Sequence, residues 1–335
     1  MAVYIIAEAG VNHNGSLELA KKLVDMAADC GADAIKFQTF KAEESTGAYA
    51  EKAKYQMENM PVQESQLDMI RKLELPFEEF RVLQSYCREK NIDFISTPDG
   101  TESLNFLVSL NVPLIKIGST EVSNIEYLKE IGNTGKEIII STGMSTLGEV
   151  EKAVNVLMET GNKKIKIMQC TTDYPTAVED VNLRAMVTMR EAFKVPTGLS
   201  DHTLGNEAAV AAVALGAEFI EKHITLDKDM EGPDHKASMS PVEFKSYVKA
   251  IRDTEKLLGD GIKKPTKREV LIMKDVRRSI VAKEGLKKGT VISKDMLMYK
   301  RPGYGIKPEL SDAIVGRKLK RDLRKDELVL WEDLV

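Results

Sequence analysis

Eight short apolar runs, each ending in polar or charged residues, follow one another through residues 1–260. They are Val3–Glu8, Asp33–Gln38, Ile92–Thr97, Leu114–Ser119, Glu137–Thr142, Ile165–Thr171, Thr197–His202 and Glu218–His223. Most are followed by a segment with helical spacing. That alternation predicts an α/β fold, a (β/α)8 TIM barrel, whose active site forms where the strands end. Glu8, Lys36, Gln38, Lys116, Ser119, Ser141, His202 and His223 are therefore expected to meet in one pocket, although they are scattered along the chain.

The chain has 335 residues. That suits one barrel of roughly 250 residues and a small second domain. Apolar residues make up 43% and charged residues 30%, enough for a large core and a solvated surface. The net charge of −4, with both signs mixed, argues against a nucleic-acid surface. Cys30, Cys87 and Cys170 form no CxxC pair and are odd in number, which reads as reduced thiols in a cytoplasmic protein. Cys170 ends a strand and is either a nucleophile or buried filler. The chain opens directly on a strand, and no apolar run approaches ~18 residues, so neither signal peptide nor membrane span is expected.

The helices between strands are readable. Ser16 is placed to cap LELAKKLVDMAADC, and Gly31 to end it. The connection from Thr39 to Pro76 is unusually long. With Tyr49, Lys54, Tyr55 and Gln56 it is a candidate lid, or else a helical insert that only packs or dimerises. The domains read as a barrel over 1–260, a Gly/Pro/Lys-rich linker over 261–277 and a small domain over 278–335. The last holds a weak repeat. EGLKKGTVISKDML, starting at Glu284, aligns with RDLRKDELVLWEDL, starting at Arg321, which predicts a β-rich unit with internal pseudosymmetry. Between the two copies lies YKRPGYGI. Its Arg301 suits a carboxylate or another polar substrate group.

Four histidines occur, and two of them, His202 and His223, end neighbouring strands. Two imidazoles converging beside open positions fit a divalent-metal site; the alternative is a hydrogen-bonded core histidine. Mn²⁺ or Mg²⁺ suits two nitrogens completed by oxygens, and Zn²⁺ is also compatible. Lys36 and Lys116 end strands two and four. A lysine aimed into a barrel mouth is costly unless it meets an anion. With Ser119, Ser141, Thr142 and Ser200 they read as a cradle for a phosphorylated carboxylate; the rival is a Schiff-base lysine. Glu8 is a candidate general base. Asp234 follows strand eight and can reach the pocket. His13 is either a site residue or a turn residue, and His235 a substrate contact or a supporting group.

In order and spacing, IAEAGVNHNG, AIKFQTFKA, STPDG, ISTGM, CTTDYP, GLSDHT, IEKHITLD, GPDHKAS and RPGYGI resemble the sialic acid synthases and their legionaminate and pseudaminate relatives. The resemblance spans nearly the whole chain, and its C-terminal part resembles the antifreeze-like (SAF) domain. It implies condensation of phosphoenolpyruvate with an N-acetylated mannose-type sugar, giving a nine-carbon 2-keto acid and phosphate. It further implies a metal, usually manganese, on His202 and His223. Phosphoenolpyruvate would be held by Lys36, Lys116, Ser119, Ser141, Thr172 and Ser200. Sugar contacts fall on Gln38, Thr97, Tyr174 and Asp234. Arg301 matches an arginine that crosses to the partner barrel in a domain-swapped homodimer. Glu8, Lys36 and Lys116 match catalytic positions.

Departures occur within these motifs. Gly118 and Thr120 flank Ser119 where relatives commonly read IPSGE. Gln169 stands where relatives often carry His, and Thr172 where some place Asn. STPDG lacks the common Phe after Pro98. NHNG and GPDHKAS look more like legionaminate-type enzymes. Rival readings are another phosphoenolpyruvate-dependent keto-deoxy acid synthase, which the C-terminal repeat and RPGYGI disfavour, and an inactive sugar-binding or coat-assembly relative. The retained Glu8, Lys36, Lys116, His202 and His223 oppose the latter.

Overall fold

A computed structural model describes residues 2–52, Met57, Asn59 and 64–335 of the chain. Lys54, Tyr55 and Gln56 of the candidate lid lie outside the described residues. The chain forms two compact units, Met1–Gly259 and Asp260–Val335.

In the first unit the strands β1 (Tyr4–Gly10), β2 (Ala34–Phe40), β3 (Asp93–Asp99), β4 (Leu114–Ile117), β5 (Glu137–Ser141), β6 (Ile165–Cys170), β7 (Thr197–Asp201) and β8 (Phe219–His223) close into a parallel barrel. β8 pairs back onto β1, with Glu8 beside His223. The helices follow the local signals. Leu17–Cys30 is capped by Ser16, whose hydroxyl accepts from the Leu19 N–H, and it stops at a left-handed Gly31. Leu147–Glu159 begins with a reciprocal Thr146–Glu149 capping box.

Side chains alternate across each strand. One set, including Ile5, Ala7, Ile35 and Phe37, packs outward on the helices. The other set points inward. Ile6, Ala34, Ile95, Leu114, Ile139, Met168 and Phe219 form an apolar plug inside the barrel. Gly198 makes room for it. A Cβ at Gly198 would sit 2.2 Å from the Phe219 carbonyl oxygen and 2.4 Å from its ring. Overpacking of this kind costs roughly 1–3 kcal/mol, so Gly198→Ala should lower the melting temperature by roughly 2–12 °C. An unchanged thermal melt would contradict this packing.

The second unit begins differently from the sequence expectation. Part of the stretch read as a linker is a helix, Lys267–Val276, started by a Thr266–Glu269 capping box. This box is the same Thr-x-x-Glu signal that starts Leu147–Glu159, set here among Lys and Pro residues that read as linker. Next come β9 (Ser279–Ala282) and β10 (Leu297–Lys300), an antiparallel pair. The repeat is visible in the backbone. Leu286 and Leu323, equivalent in the two copies, exchange N–H···O bonds of 2.9 and 2.8 Å. The equivalent 3₁₀ turns are Lys294–Met296 and Trp331–Asp333. Gly289 and its counterpart Asp326 both take positive φ, 85° and 66°. No described helix of the chain is long and apolar enough to cross a membrane.

Candidate active site

Two residues beyond the plug, strand alternation turns the next inward side chains toward the C-terminal mouth. These are Glu8, Lys36, Thr97, Lys116, Ser141, Cys170, Ser200 and Glu221, one from each strand, and all line one cavity of about 290 Å³. The rim adds Gln38, Asp99, Ser119, Thr172, Tyr174, His202, His223 and Asp234. Of the barrel residues expected at the site, Thr142 is the exception: its hydroxyl donates to the Met168 carbonyl at 2.8 Å and it lines a neighbouring cavity instead. Arg301 belongs to the second unit, where it is exposed. Tyr49 is also exposed and does not line the cavity, but Phe40, Ser45, Met69, Ile70 and Leu73 of the long connection after β2 do.

Glu221 is the residue that sequence reading passed over. It is buried, with Lys36 at 3.7 Å, Lys116 at 3.5 Å and a hydrogen bond from Ser200 Oγ at 3.1 Å. Strand parity was the available signal. If His223 faces inward, so does the residue two before it.

The charges are interleaved. Lys36 Nζ lies 2.9 Å from Glu8 and donates to Thr97 Oγ1 at 3.1 Å. Lys116 donates to Ser141 Oγ at 2.7 Å, and Gln38 donates to Glu8 at 3.3 Å. Burial pushes the Glu8 carboxyl up to about 7, despite Lys36. Burial also acts on Glu221, but Lys116 and Lys36 outweigh it and hold that carboxyl well below the usual range. Burial lowers the Lys116 ammonium, whereas for Lys36 the charges of Glu221 and Glu8 overcome burial and raise it. Among the described residues, four carboxyl groups, Glu8, Asp99, Glu221 and Asp234, thus line the cavity with two ammonium groups, Lys36 and Lys116.

On the β4–β6 side, Ser119 Oγ accepts the Gly143 N–H at 2.9 Å. A Cβ at Gly143 would fall 2.0 Å from Thr172 Oγ1 and 2.8 Å from Ser119 Oγ. Only glycine there lets these two hydroxyls converge with a backbone donor, an arrangement suited to an anion.

The two rim imidazoles face one another, with ring centroids 5.4 Å apart, and the Tyr174 ring lies 4.2 Å from His202. His202 Nδ1 donates to the Thr171 carbonyl at 2.7 Å, so that in the neutral ring Nε2 carries the free lone pair. A ligating histidine is commonly held by such a backbone bond. His223 Nδ1 is buried without a partner, and burial drops the pKa of that ring well below the ordinary value. Among the described residues no group of three His, Cys, Asp or Glu side chains is placed to hold a metal. The chain offers two facing imidazoles beside four carboxyl groups. That set fits a divalent cation whose other ligands come from water or substrate.

The remaining histidines are structural. His13 is fully buried and its Nδ1 accepts the Gly15 N–H, as a turn residue would. His235 pairs with Thr225 and Asn14 and supports the loop that carries Asp234. Cys170 Sγ lies 3.7 Å from Ser119 Oγ in the cavity wall, and all three cysteines are free thiols.

A model described as the NeuB family matches residues 23–263, and a SAF domain model matches residues 277–335. The chain belongs to the NeuB family. It is 48% identical over 327 residues to an N,N'-diacetyllegionaminic acid synthase of Campylobacter jejuni, covering 97% of this chain and 98% of that protein. It is 36% identical to the N-acetylneuraminate-9-phosphate synthase of Homo sapiens, covering 98% and 92%. Among solved structures, the N-acetylneuraminic acid synthetase of Leptospira borgpetersenii, in complex with citrate, is 34% identical with a TM-score of 0.72, covering 82% of this chain and 90% of that one. The resemblance read from the nine motifs is thus that of a sialic acid synthase family member, a TIM barrel followed by a SAF domain.

Proposed function

We propose that this NeuB family member condenses phosphoenolpyruvate with an N-acetylated mannose-type aldose, 2-acetamido or 2,4-diacetamido, and water. The products are the nine-carbon 2-keto acid and phosphate. The observation that carries the reading is the pair of buried lysines interleaved with two buried carboxylates at the floor of one cavity, next to a hydroxyl-and-amide cradle. The 48% identity to a diacetyllegionaminic acid synthase favours the diacetamido sugar.

Lys36 and Lys116 are assigned the carboxylate and phosphate of phosphoenolpyruvate, with Ser119, Ser141, Thr172 and Ser200 donating hydrogen bonds. C3 attacks the aldehyde carbon, and the aldehyde oxygen takes up a proton. Positive charge develops at C2, next to the ionised Glu221. Water adds at C2 and gives a proton to Glu8. The C2–O bond of the tetrahedral intermediate then breaks, the C2 hydroxyl gives its proton to the departing phosphate, and Glu8 returns its own proton to solvent in place of the one the aldehyde oxygen took up. Gln38, Thr97, Tyr174 and Asp234 are assigned to the sugar. Mn²⁺ or Mg²⁺, held by His202 and His223, would supply Lewis-acid polarisation of the aldehyde oxygen.

Glu8 must be ionised to accept that proton. With its carboxyl raised to about 7, kcat/KM should fall as pH drops below about 7. In Glu8→Gln the residual activity should lose this acidic limb; an unchanged limb would assign it to another group.

We further propose that the chain works in the cytoplasm as a homodimer in which Arg301 serves the partner's barrel. Arg301→Ala and Lys36→Met, each inactive alone, should regain activity when mixed, because one site of the mixed dimer carries neither defect. If subunit exchange is confirmed and no activity returns, Arg301 does not act in trans.

A further inference from the structure

One carboxyl in the cavity has no task in this scheme. Asp99 is the last residue of β3 and lines the pocket mouth. Among the described residues its side chain has neither a hydrogen-bond nor an ion-pair partner. Its backbone, in contrast, is clamped. The Tyr127 hydroxyl donates to the carbonyls on either side, Pro98 at 3.0 Å and Gly100 at 2.9 Å. β2 holds the other edge through the Phe40–Asp99 pairing. The carboxylate is therefore presented to the cavity from a fixed position.

Its surroundings are negative. Glu44 packs against Gly100 so closely that a Cβ there would lie 2.3 Å from its carboxylate oxygen. Burial first, and then the charge of Glu121, push Asp99 up to about 7 against a smaller opposing pull from Lys36. The two cations of the cavity wall lie nearer the plug and are engaged with Glu8 and Glu221. A neutral sugar arriving at the mouth brings O–H and N–H donors, which an unpartnered carboxylate accepts. A sugar phosphate brings a dianion, which meets the like charge of Asp99 and Glu44 at the β3 end of the mouth.

We infer that Asp99 is a specificity-determining residue: it accepts hydrogen bonds from an unphosphorylated, hydroxyl- and amide-bearing sugar and rejects the same sugar carrying a phosphate. The inference rests on the synthase reading above.

The test compares N-acetylmannosamine with its 6-phosphate on the full chain, at saturating phosphoenolpyruvate, for the parent, Asp99→Asn and Glu121→Gln. Asn keeps the shape of Asp without its charge. Glu121→Gln removes the charge that acts on Asp99 from behind the cavity wall without touching the proposed contact, and keeps the test decisive if Asp99→Asn misfolds. The parent should prefer the free sugar by at least about 100-fold in kcat/KM. Asp99→Asn should lose about tenfold on the free sugar and gain about tenfold on the phosphate, since charged hydrogen bonds and charge repulsion are each worth about that factor. Glu121→Gln should give a several-fold gain on the phosphate alone. Equal losses on both sugars, or a parent that prefers the phosphate, would overturn the role of Asp99. Failure of every sugar to release phosphate from phosphoenolpyruvate would instead overturn the synthase reading, and the inference with it.

Discussion

Lys116→Met is expected to raise the KM for phosphoenolpyruvate by about 10²–10³-fold and to leave the KM for the sugar within a few-fold. Lys116 is buried, 2.7 Å from Ser141 Oγ and 3.5 Å from Glu221. Burial lowers its pKa, so its charge is maintained only by the anions it faces. Truncating one partner of a buried charge pair costs about 2–5 kcal/mol, and about 1.4 kcal/mol is tenfold in affinity. The substitution also leaves Glu221 with Lys36 as its only ammonium partner, so the cavity becomes more negative just where a trianionic substrate must enter. Equal rises in both KM values would place Lys116 outside the phosphoenolpyruvate subsite. Borohydride added with substrate should leave no adduct on Lys36 or Lys116. A reduced adduct found by mass spectrometry would establish the imine chemistry that this account sets aside.

Excess chelator is expected to abolish turnover, and Mn²⁺ to restore it at least as well as Mg²⁺. His202→Ala should weaken Mn²⁺ binding, read by titration calorimetry on the protein without substrates, by at least about 100-fold, because it removes one of only two nitrogen donors. The physical basis is the pair of facing imidazoles, one with Nδ1 committed to the Thr171 carbonyl and the other with Nδ1 buried and unpartnered. They stand among four carboxylates and two lysines. Full activity in excess chelator, or unchanged Mn²⁺ affinity in His202→Ala, would remove the metal from the scheme.

Much of this site was legible in the chain because a barrel turns sequence period into position. An apolar run followed by a polar residue two places on means a plug residue and then a pocket residue, as with Ile6 and Glu8 or Leu114 and Lys116. The same rule would have found Glu221 between Phe219 and His223. Glu221 is inconspicuous because the histidine two residues on carries the stronger chemical signal. Asp99 was noticed only as a missing Phe. What makes it a pocket group is the Tyr127 clamp from a neighbouring helix, a contact that no local pattern encodes. Gly143 and Gly198 were invisible for a similar reason, since each is required by a side chain on another strand or loop. The helix Lys267–Val276 was hidden by its setting. None of its residues is buried, so its apolar period reads weakly against the flanking Lys and Pro, and only the Thr266–Glu269 box marks its start.

The most direct test of the central claim is the stoichiometry of phosphate release. The full chain is incubated with phosphoenolpyruvate and Mn²⁺, alone and with N-acetylmannosamine, its 2,4-diacetamido analogue or a plain aldose. One phosphate per nine-carbon 2-keto acid, detected by mass, is expected with an N-acetylated sugar and none without it. Phosphate release that ignores the sugar, or consumption of phosphoenolpyruvate without the nine-carbon product, would contradict it.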